Sequence, residues 1–122
     1  MSFFIPPEQW ENNIAPSFPF QYFRYQEFVD GIKNLSQGHD FHYHSYDWQT
    51  SRLATEPTII TATNTVIIEG VSVLNSELID YYDKKIWVAS DTETELDAII
   101  ARENNKSLDL WKNMYIPSVD IY

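Results

Sequence analysis

The stretch TNTVIIEGVSVLNSELIDYYDKKIWVASD places a carboxylate, Glu69, at the end of an apolar run. Many proteins that handle nucleotides present a carboxylate in this way at the edge of a sheet. A phosphate site also needs a loop of the form G-x-x-x-x-G-K-[ST], whose backbone N–H groups wrap the phosphates. The glycines here are Gly31, Gly38 and Gly70; no pair has that spacing and none precedes a lysine. The sequence therefore predicts only one part of a phosphate-handling site.

The histidines are a second candidate site. His42 and His44 lie on one face of the alternating segment HDFHYHSYDW, so their imidazoles could reach one metal ion. No third ligand with a recognisable spacing follows them, and His39 adds none. The pattern therefore favours a structural or surface role for the histidines over a metal site.

Composition and charge exclude several classes of function. The chain has 122 residues, a length typical of one domain, and no cysteine for a disulfide or a thiolate metal site. Its formal net charge of -10 argues against binding to a nucleic-acid backbone, which depends on Lys and Arg. The apolar runs are too short to span a bilayer, and no signal peptide is visible. We therefore expect a single cytoplasmic domain, residues 1–122, without nucleic-acid or membrane partners.

Local patterns predict the elements that must position these residues. Four prolines predict an irregular loop over Phe3–Pro19. Apolar residues at helical spacing predict a helix within Tyr22–Leu35, although Gly31 weakens it, and Gly38 is a plausible stop. Further helices are predicted after the caps Asn75 and Asp91 or Thr92, and over Ser107–Met114. Strands are predicted in HDFHYHSYDW, in EPTIITAT, over Thr65–Glu69 and over Lys85–Ala89.

The order of these elements predicts the fold class. Strands that alternate with helices predict an α/β fold, with a mainly parallel sheet and flanking helices. The segments TVIIE and KIWVA have little polar alternation, which is typical of strands buried on both faces.

Five segments follow one another in a familiar order: FFIPPEQ, YDWQTSRL, TVIIEGVSVLNSELIDYYDKKIWV, IIAREN and WKNMYIPSVDIY. In these segments the chain resembles the uridine kinase-like branch of the P-loop kinases over nearly its whole length. The resemblance implies a five-stranded parallel sheet, a lid over the phosphates, and transfer of a phosphoryl group to a small hydroxyl compound with ATP and Mg²⁺. The chain matches the acceptor and lid half, because the phosphate loop is absent and Met1 and Ser2 stand where an acidic base precedes Phe3.

The resemblance implies an acceptor pocket. Tyr46 and Asp47 would line it, although an Asp that bonds its own backbone in a turn is equally open for Asp47. Arg24 stands where the family usually has an Asp that holds the acceptor sugar. This Arg suits an anionic acceptor, or else marks a site that is no longer used. Arg52 could stand in for a basic residue that follows the Tyr-Asp pair.

Two further residues are implied at the phosphates. Glu69 would act on Mg²⁺ directly or through water, and its alternative role is to cap the turn that follows the strand. Arg102 would clamp phosphates from the lid, and its alternative is a surface arginine.

These observations leave several hypotheses open. The first is a uridine kinase-like phosphotransferase that needs its missing half from a longer protein or another polypeptide. The second is a non-catalytic binding or interaction module derived from the kinase fold, and the third is a shared fold pattern alone. ATP and Mg²⁺ are not expected to bind this chain alone, and a small anion or phosphorylated metabolite is the expected ligand.

Assembly is predicted from a strand that the family has and this chain lacks. In the family fold it lies between the strands matching Thr65–Glu69 and Lys85–Ala89. Unpaired backbone groups at that gap are costly and invite another chain. We expect the two strands to pair directly, or a strand of the missing kinase half or of a second copy (a homo-oligomer) to fill the gap. Filling by another chain is favoured over direct pairing.

Overall fold

The computed structural model describes residues 2–10, 14–63, 65–103 and 107–122. The helices are α1 (Tyr25–Ser36), α2 (Thr92–Glu103), α3 (Leu108–Leu110) and α4 (Ile116–Ile121), and a π-helical segment, Trp111–Tyr115, joins α3 to α4. The strands are β1 (Phe41–Tyr43), β2 (Tyr46–Asp47), β3 (Arg52–Leu53) and β4 (Thr58–Ile60). Single 3₁₀ turns cover Pro7–Gln9 and Ile79–Tyr81. None of the helices in these ranges is both long and apolar enough to cross a bilayer.

Helix α1 confirms the prediction made from apolar spacing. It buries Phe28, Val29 and Ile32, which recur at helical intervals and face the core. Gly38 follows the helix with φ of +80°, and its N–H donates to the carbonyl of Leu35 at 3.1 Å. Glycine adopts this left-handed conformation without a Cβ clash, so it ends the helix as predicted.

Side-chain caps also form where the sequence predicts them. The Asn75 side-chain oxygen accepts hydrogen bonds from the N–H groups of Glu77 at 2.9 Å and Leu78 at 3.2 Å. The Asp91 carboxylate accepts from the N–H of Thr94 at 2.8 Å, and this bond lowers the pKa of Asp91. The Asp91 cap satisfies an N–H group that a helix start leaves unpaired. The Asn75 side chain caps a turn instead, and the short helix predicted through Leu78 and Tyr82 is wrong, since only the 3₁₀ turn Ile79–Tyr81 follows. The predicted helix over Ser107–Met114 continues to Ile121, because Pro117 falls in the first turn of α4, where its missing N–H is not needed.

The predicted parallel sheet is wrong for the described residues. Strand β1 pairs with β4, with Phe41 opposite Ile60, and β2 pairs with β3, with Tyr46 opposite Leu53; both pairs are antiparallel. A short connection joins β2 to β3 as a hairpin, which makes the pair antiparallel, because parallel strands need a long crossover connection. The coarser prediction of an α/β chain fits these elements, but the sheets are small and two-stranded.

The two apolar segments predicted as buried strands are not strands. Residues 65–69 and 84–90 run without helix, turn or bend, and most of their side chains are exposed. A strand forms only when a neighbour pairs with its backbone, and within the described residues neither segment has such a neighbour. Direct pairing of Thr65–Glu69 with Lys85–Ala89, one of the two expected outcomes, therefore does not occur in this chain.

Two apolar clusters hold the fold together. The core cluster comprises Phe3, Phe28, Val29, Ile32, Phe41 and Leu78. The aromatic cluster comprises Phe4, Phe20, Tyr22, Tyr46 and Met114, so it joins the N-terminal segment to the C-terminal helices. Adjacent residues Phe3 and Phe4 belong to different clusters, and they place the two clusters side by side.

Gly31 lets β1 approach α1 closely. A Cβ built on Gly31 would lie 2.4 Å from the ring of Phe41, which is itself buried. The Phe41 ring stacks on Tyr43 at 5.3 Å and on Phe3 at 5.9 Å, so it has little room to move. The glycine that weakens the helix in isolation is therefore required by packing.

We predict that Gly31→Ala lowers the free energy of unfolding by about 1–2 kcal/mol. Because a Cβ at 2.4 Å from a packed ring is a severe contact, overpacking should cost about 2–3 kcal/mol, the upper part of its usual range, and the better helix propensity of Ala returns about 1 kcal/mol. Urea unfolding measures the difference. Asn34→Ala, at an exposed position of the same helix, serves as the control. A Gly31→Ala chain as stable as the unchanged chain would contradict this packing.

Candidate functional site

A cleft of about 460 Å³ opens beside the aromatic cluster. Its volume lies within the range of about 300–1,000 Å³ that is usual for small-molecule sites. Aromatic side chains form most of the wall, and one acidic and one basic residue reach it. The lining residues are Phe4, Phe20, Tyr22, Trp48, Glu69, Gly70, Val71, Arg102, Trp111, Tyr115 and Val119.

The aromatic wall is built from rings in mutual contact. The Phe4 ring lies 5.1 Å from Trp48 and 5.3 Å from Tyr22, measured between centroids. Tyr115 continues the wall at 4.8 Å from Tyr22 and 5.0 Å from Trp111, in edge-on geometry. Such tilted and edge-on pairs are favourable for aromatic quadrupoles, so the wall is partly preorganised.

Tyr22 places a buried hydroxyl against the cleft. Burial, together with the neighbouring Tyr115, raises its pKa to about 12, while a hydrogen bond with Ser118 acts in the opposite direction. The Ser118 side chain is fully buried, and its oxygen accepts a hydrogen bond from the N–H of Ser17 at 3.3 Å. Tyr22 is therefore a neutral phenol at physiological pH, and it ties the N-terminal segment to α4.

Glu69 and Arg102 bring opposite charges to this cleft. Glu69 precedes Gly70, whose φ of +153° turns the chain at the cleft wall, and both residues also line an adjoining cavity of about 130 Å³. Arg102 lies in the last turn of α2, and its guanidinium carbon is 5.7 Å from the centroid of the Trp111 ring. That distance is typical of a cation–π contact. Two residues that are far apart in the sequence thus line the same cleft.

Arg24 is held by partners inside the chain. Its guanidinium donates to the carbonyl oxygens of Ser2 at 3.0 Å and His44 at 2.6 Å, and it forms an ion pair with Glu27. It also lies over the ring of Phe3, 5.4 Å from the centroid. Arg24 is not among the residues that line the cleft. Its contact with an acceptor stays a prediction.

The other predicted acceptor residues also lie outside the lining. Tyr46 is buried in the aromatic cluster, 4.8 Å from Trp48. Asp47 accepts hydrogen bonds from the N–H of Gln49 at 2.8 Å and the hydroxyl of Thr50 at 3.0 Å, and these bonds lower its pKa. This is the local turn that the sequence left open for Asp47. Arg52 is exposed opposite Asp47 in the β2–β3 hairpin.

The described residues contain neither a cluster of three metal-ligating side chains nor a glycine-rich phosphate loop. No group of three or more His, Asp or Glu side chains in the described ranges could hold a metal ion. The glycines are equally unsuited to a phosphate cradle, since Gly31 lies within α1 and Gly38 ends it. His44, one of the histidines considered for metal binding, has its Nδ1 atom 2.9 Å from the carbonyl oxygen of Ala54. No step of phosphoryl transfer is therefore assigned to these side chains.

Part of the cleft wall was missed by reasoning from the sequence. The sequence predicts Trp48, Trp87 and Trp111 as core or pocket-wall residues. Trp48 and Trp111 line the cleft, but the prediction is wrong for Trp87, which is 67% exposed and lines neither cavity. Tyr22, Tyr115 and Val119 were not singled out. A signal for two of them was present, because Trp111, Tyr115 and Val119 recur every four residues and so share one helix face. Tyr22 gives no comparable signal, since its position depends on contacts with the distant C-terminal helices.

A comparison with known protein families identifies the family of this chain. A family model described as "Phosphoribulokinase / Uridine kinase family" matches residues 12–107, which include Glu69, Arg102 and all four predicted acceptor residues. The chain belongs to this family, and the resemblance inferred from its motifs is confirmed. Membership of this kinase family implies, in general, the use of ATP and Mg²⁺. No curated protein matches the chain.

The burial of Tyr22 predicts a pH dependence of stability. Because its pKa is raised from 10.0 to about 12 in the folded chain, the unfolded chain loses this proton first as the pH rises. The stability that Tyr22 contributes is present below about pH 10 and is lost as the pH approaches 12.

We predict that Tyr22→Phe reduces this loss of stability, measured as the free energy of unfolding in urea between about pH 10 and 12. Part of the fall should remain, since the pKa of Tyr82 is also raised to about 12. An unchanged slope in Tyr22→Phe would contradict the assignment.

Proposed function

We propose that this chain is the acceptor-binding and lid part of a uridine kinase-like phosphotransferase. It binds a small ring-bearing hydroxyl compound, preferentially in a phosphorylated form, and it does not transfer a phosphoryl group unaided. The observation that carries the proposal is the aromatic cleft that Glu69 and Arg102 both line.

The walls of the cleft favour a flat ring. Trp48 is largely exposed although it contacts Phe4 and Tyr46, so one face of its indole is available to a ligand. Trp111 and Tyr115 provide further aromatic surface on the same cleft. Stacking of a planar ring on such side chains is worth about 1–3 kcal/mol by comparison with base–aromatic stacking. A ring compound therefore has more to gain here than a linear one.

The two charged residues favour opposite ends of such a compound. A carboxylate such as Glu69 accepts hydrogen bonds, and it suits the hydroxyl groups of a sugar. The guanidinium of Arg102 can donate two parallel hydrogen bonds to a phosphate, the geometry in which Arg binds this group best. The proposal thus places hydroxyls towards Glu69 and an anionic group towards Arg102.

The lack of transfer by the chain alone is proposed from its sequence. Positioning and electrostatic stabilisation supply nearly all catalysis in phosphoryl transfer, and the loop that cradles the phosphates has no counterpart among these 122 residues. In this proposal the cradle comes from elsewhere, in a longer protein or another polypeptide.

One observation favours the alternative of a non-catalytic binding module. Arg24 stands where the family usually has the sugar-holding Asp, and its guanidinium already bonds Ser2, His44 and Glu27. A residue engaged in this way is less available to an acceptor. The alternative keeps the same cleft and ligand but dispenses with transfer altogether.

We predict that Arg102→Gln removes the preference for the phosphorylated form. Isothermal titration compares uridine monophosphate with uridine, as probes with and without the anionic group. In the unchanged chain the monophosphate should bind about tenfold more tightly or better, because a hydrogen bond to a charged group is worth about 1.5–3 kcal/mol. In Arg102→Gln the two affinities should become equal within about threefold.

The matched control is Arg52→Gln, which makes the same change of charge at an exposed arginine outside the cleft lining. It should leave both affinities unchanged. Loss of the preference in Arg52→Gln but not in Arg102→Gln would move the anion site to the β2–β3 hairpin. Binding of uridine without any gain from the phosphate would refute the anionic part of the proposal.

A further inference from the structure

Two apolar segments have no backbone partner among the described residues. Residues 65–69 and 84–90 neither donate nor accept a backbone–backbone hydrogen bond within the described residues. Their central side chains are among the most exposed apolar groups: Ile67 is 89% exposed, Val88 85%, Ile86 83% and Trp87 67%. Straight, apolar and unpaired segments are templates for pairing with another strand.

The two segments are complementary to each other in one register. When TVIIE runs antiparallel to KIWVA, Thr65 lies opposite Ala89, Val66 opposite Val88, Ile67 opposite Trp87, Ile68 opposite Ile86, and Glu69 opposite Lys85. Pairs of β-branched and aromatic residues and pairs of opposite charge are the combinations that stabilise cross-strand contacts.

The charges at the ends favour antiparallel pairing of one segment with the other over parallel pairing and over pairing of a segment with its own copy. In a parallel arrangement Glu69 would face Ala89 and Lys85 would face Thr65, so neither charge would be matched. The charges are also unmatched when a segment pairs antiparallel with its own copy. Glu69 then lies opposite Thr65 of the second copy, and Lys85 lies opposite Ala89. Of these arrangements, only antiparallel pairing of one segment with the other brings Glu69 to Lys85.

The register also extends the core. Side chains alternate between the two faces of a strand, so Val66 and Ile68 share one face and Ile67 points to the other. Ile68 packs against the core cluster. The partners of Val66 and Ile68 in this register, Val88 and Ile86, would therefore be brought to the same face, beside the core.

The chain keeps its own two segments apart. The connection between them is anchored on the core, because Leu78 is fully buried and the Asn75 cap holds the preceding turn. Glu77 adds an ion pair with Lys33 of α1 at 3.0 Å. With this connection fixed, the complementary strand for each segment is available from a second copy.

We propose that two copies of this chain form a symmetric dimer, in which residues 65–69 of each copy pair antiparallel with residues 85–89 of the other. Each protomer gives one segment and accepts one, so the contact is self-complementary and closes at two copies. The proposal does not depend on the ligand or on the transfer activity of the chain.

The experiment uses the absence of cysteine from the chain. Ile67→Cys is made in one preparation and Trp87→Cys in another that carries a mass tag, and the two are mixed under mild oxidation by oxidised glutathione. Opposite residues of an antiparallel pair have Cα atoms about 4.5–5.5 Å apart, within the roughly 4.4–6.8 Å that a disulfide spans. The expected product is a disulfide-linked heterodimer of the two preparations, which no intramolecular hairpin can produce. Both positions are exposed in the single chain, so neither change disturbs the core.

The matched control mixes Ile67→Cys with Ile86→Cys, one residue out of register and on the opposite face. It should cross-link at least about tenfold more slowly, because adjacent strand residues point to opposite faces. Equal cross-linking of the two mixtures would overturn the register. A chain that carries both Ile67→Cys and Trp87→Cys provides a further control. If the disulfide formed only within this double variant and never between the two single variants, the exchange between copies would be overturned.

Sedimentation of the unchanged chain gives a second test that needs no substitution. It should show a dimer, and Lys85→Glu should raise the dimer dissociation constant by about tenfold, since like charges directly opposite are destabilising. Lys84→Glu makes the same change of net charge one position away, opposite Gly70, and should alter it by less than about twofold. A monomer at all concentrations, or equal effects of the two charge reversals, would overturn the proposal.

Discussion

The division of Phe3 and Phe4 between two clusters is the constraint on which the rest of the structure depends. Phe3 packs edge-on against Phe28 of α1 at 5.4 Å, within the core cluster. Phe4 packs against Tyr22 and Trp48 in the wall of the cleft. The segment that carries them is fixed by backbone hydrogen bonds, from Ile5 to Tyr22 at 2.9 Å and from Arg24 to Phe3 at 2.8 Å. The cleft is therefore supported by the same short segment that closes the core.

Arg24 shows how a position associated with ligand binding becomes part of the scaffold. Its guanidinium joins Ser2, Glu27 and His44, which come from three different parts of the chain. Its Nε atom is buried without a hydrogen-bond partner within the described residues, which is a cost that the other contacts must offset. Glu69 and Arg102 are the charged residues that line the cleft, so the charge recognition that we propose has a different source from the one the Arg24 position suggests.

Features governed by neighbouring residues were predictable from the sequence. The stop at Gly38 and the helix cap at Asp91 depend on a few adjacent groups, and both formed where expected. The Asn75 side chain makes its predicted local hydrogen bonds, but they close a turn and not the start of a helix. The parallel sheet was not predictable in this way, because TVIIE and KIWVA become strands only if another strand pairs with them. For the site, the family motifs brought Glu69 and Arg102 to notice. The contact of Tyr22 with Tyr115 joins distant parts of the chain and leaves no local pattern.

The central claim is that this chain carries an acceptor cleft without the means to transfer a phosphoryl group. It is tested most directly by incubating the pure 122-residue chain with ATP, Mg²⁺ and uridine or cytidine, beside a Glu69→Ala control. The account predicts that no nucleoside monophosphate forms above the level of the control, because positioning of the phosphates supplies the catalysis and the chain has no loop to position them. ATP-dependent formation of the monophosphate by the unchanged chain, lost in Glu69→Ala, would contradict it.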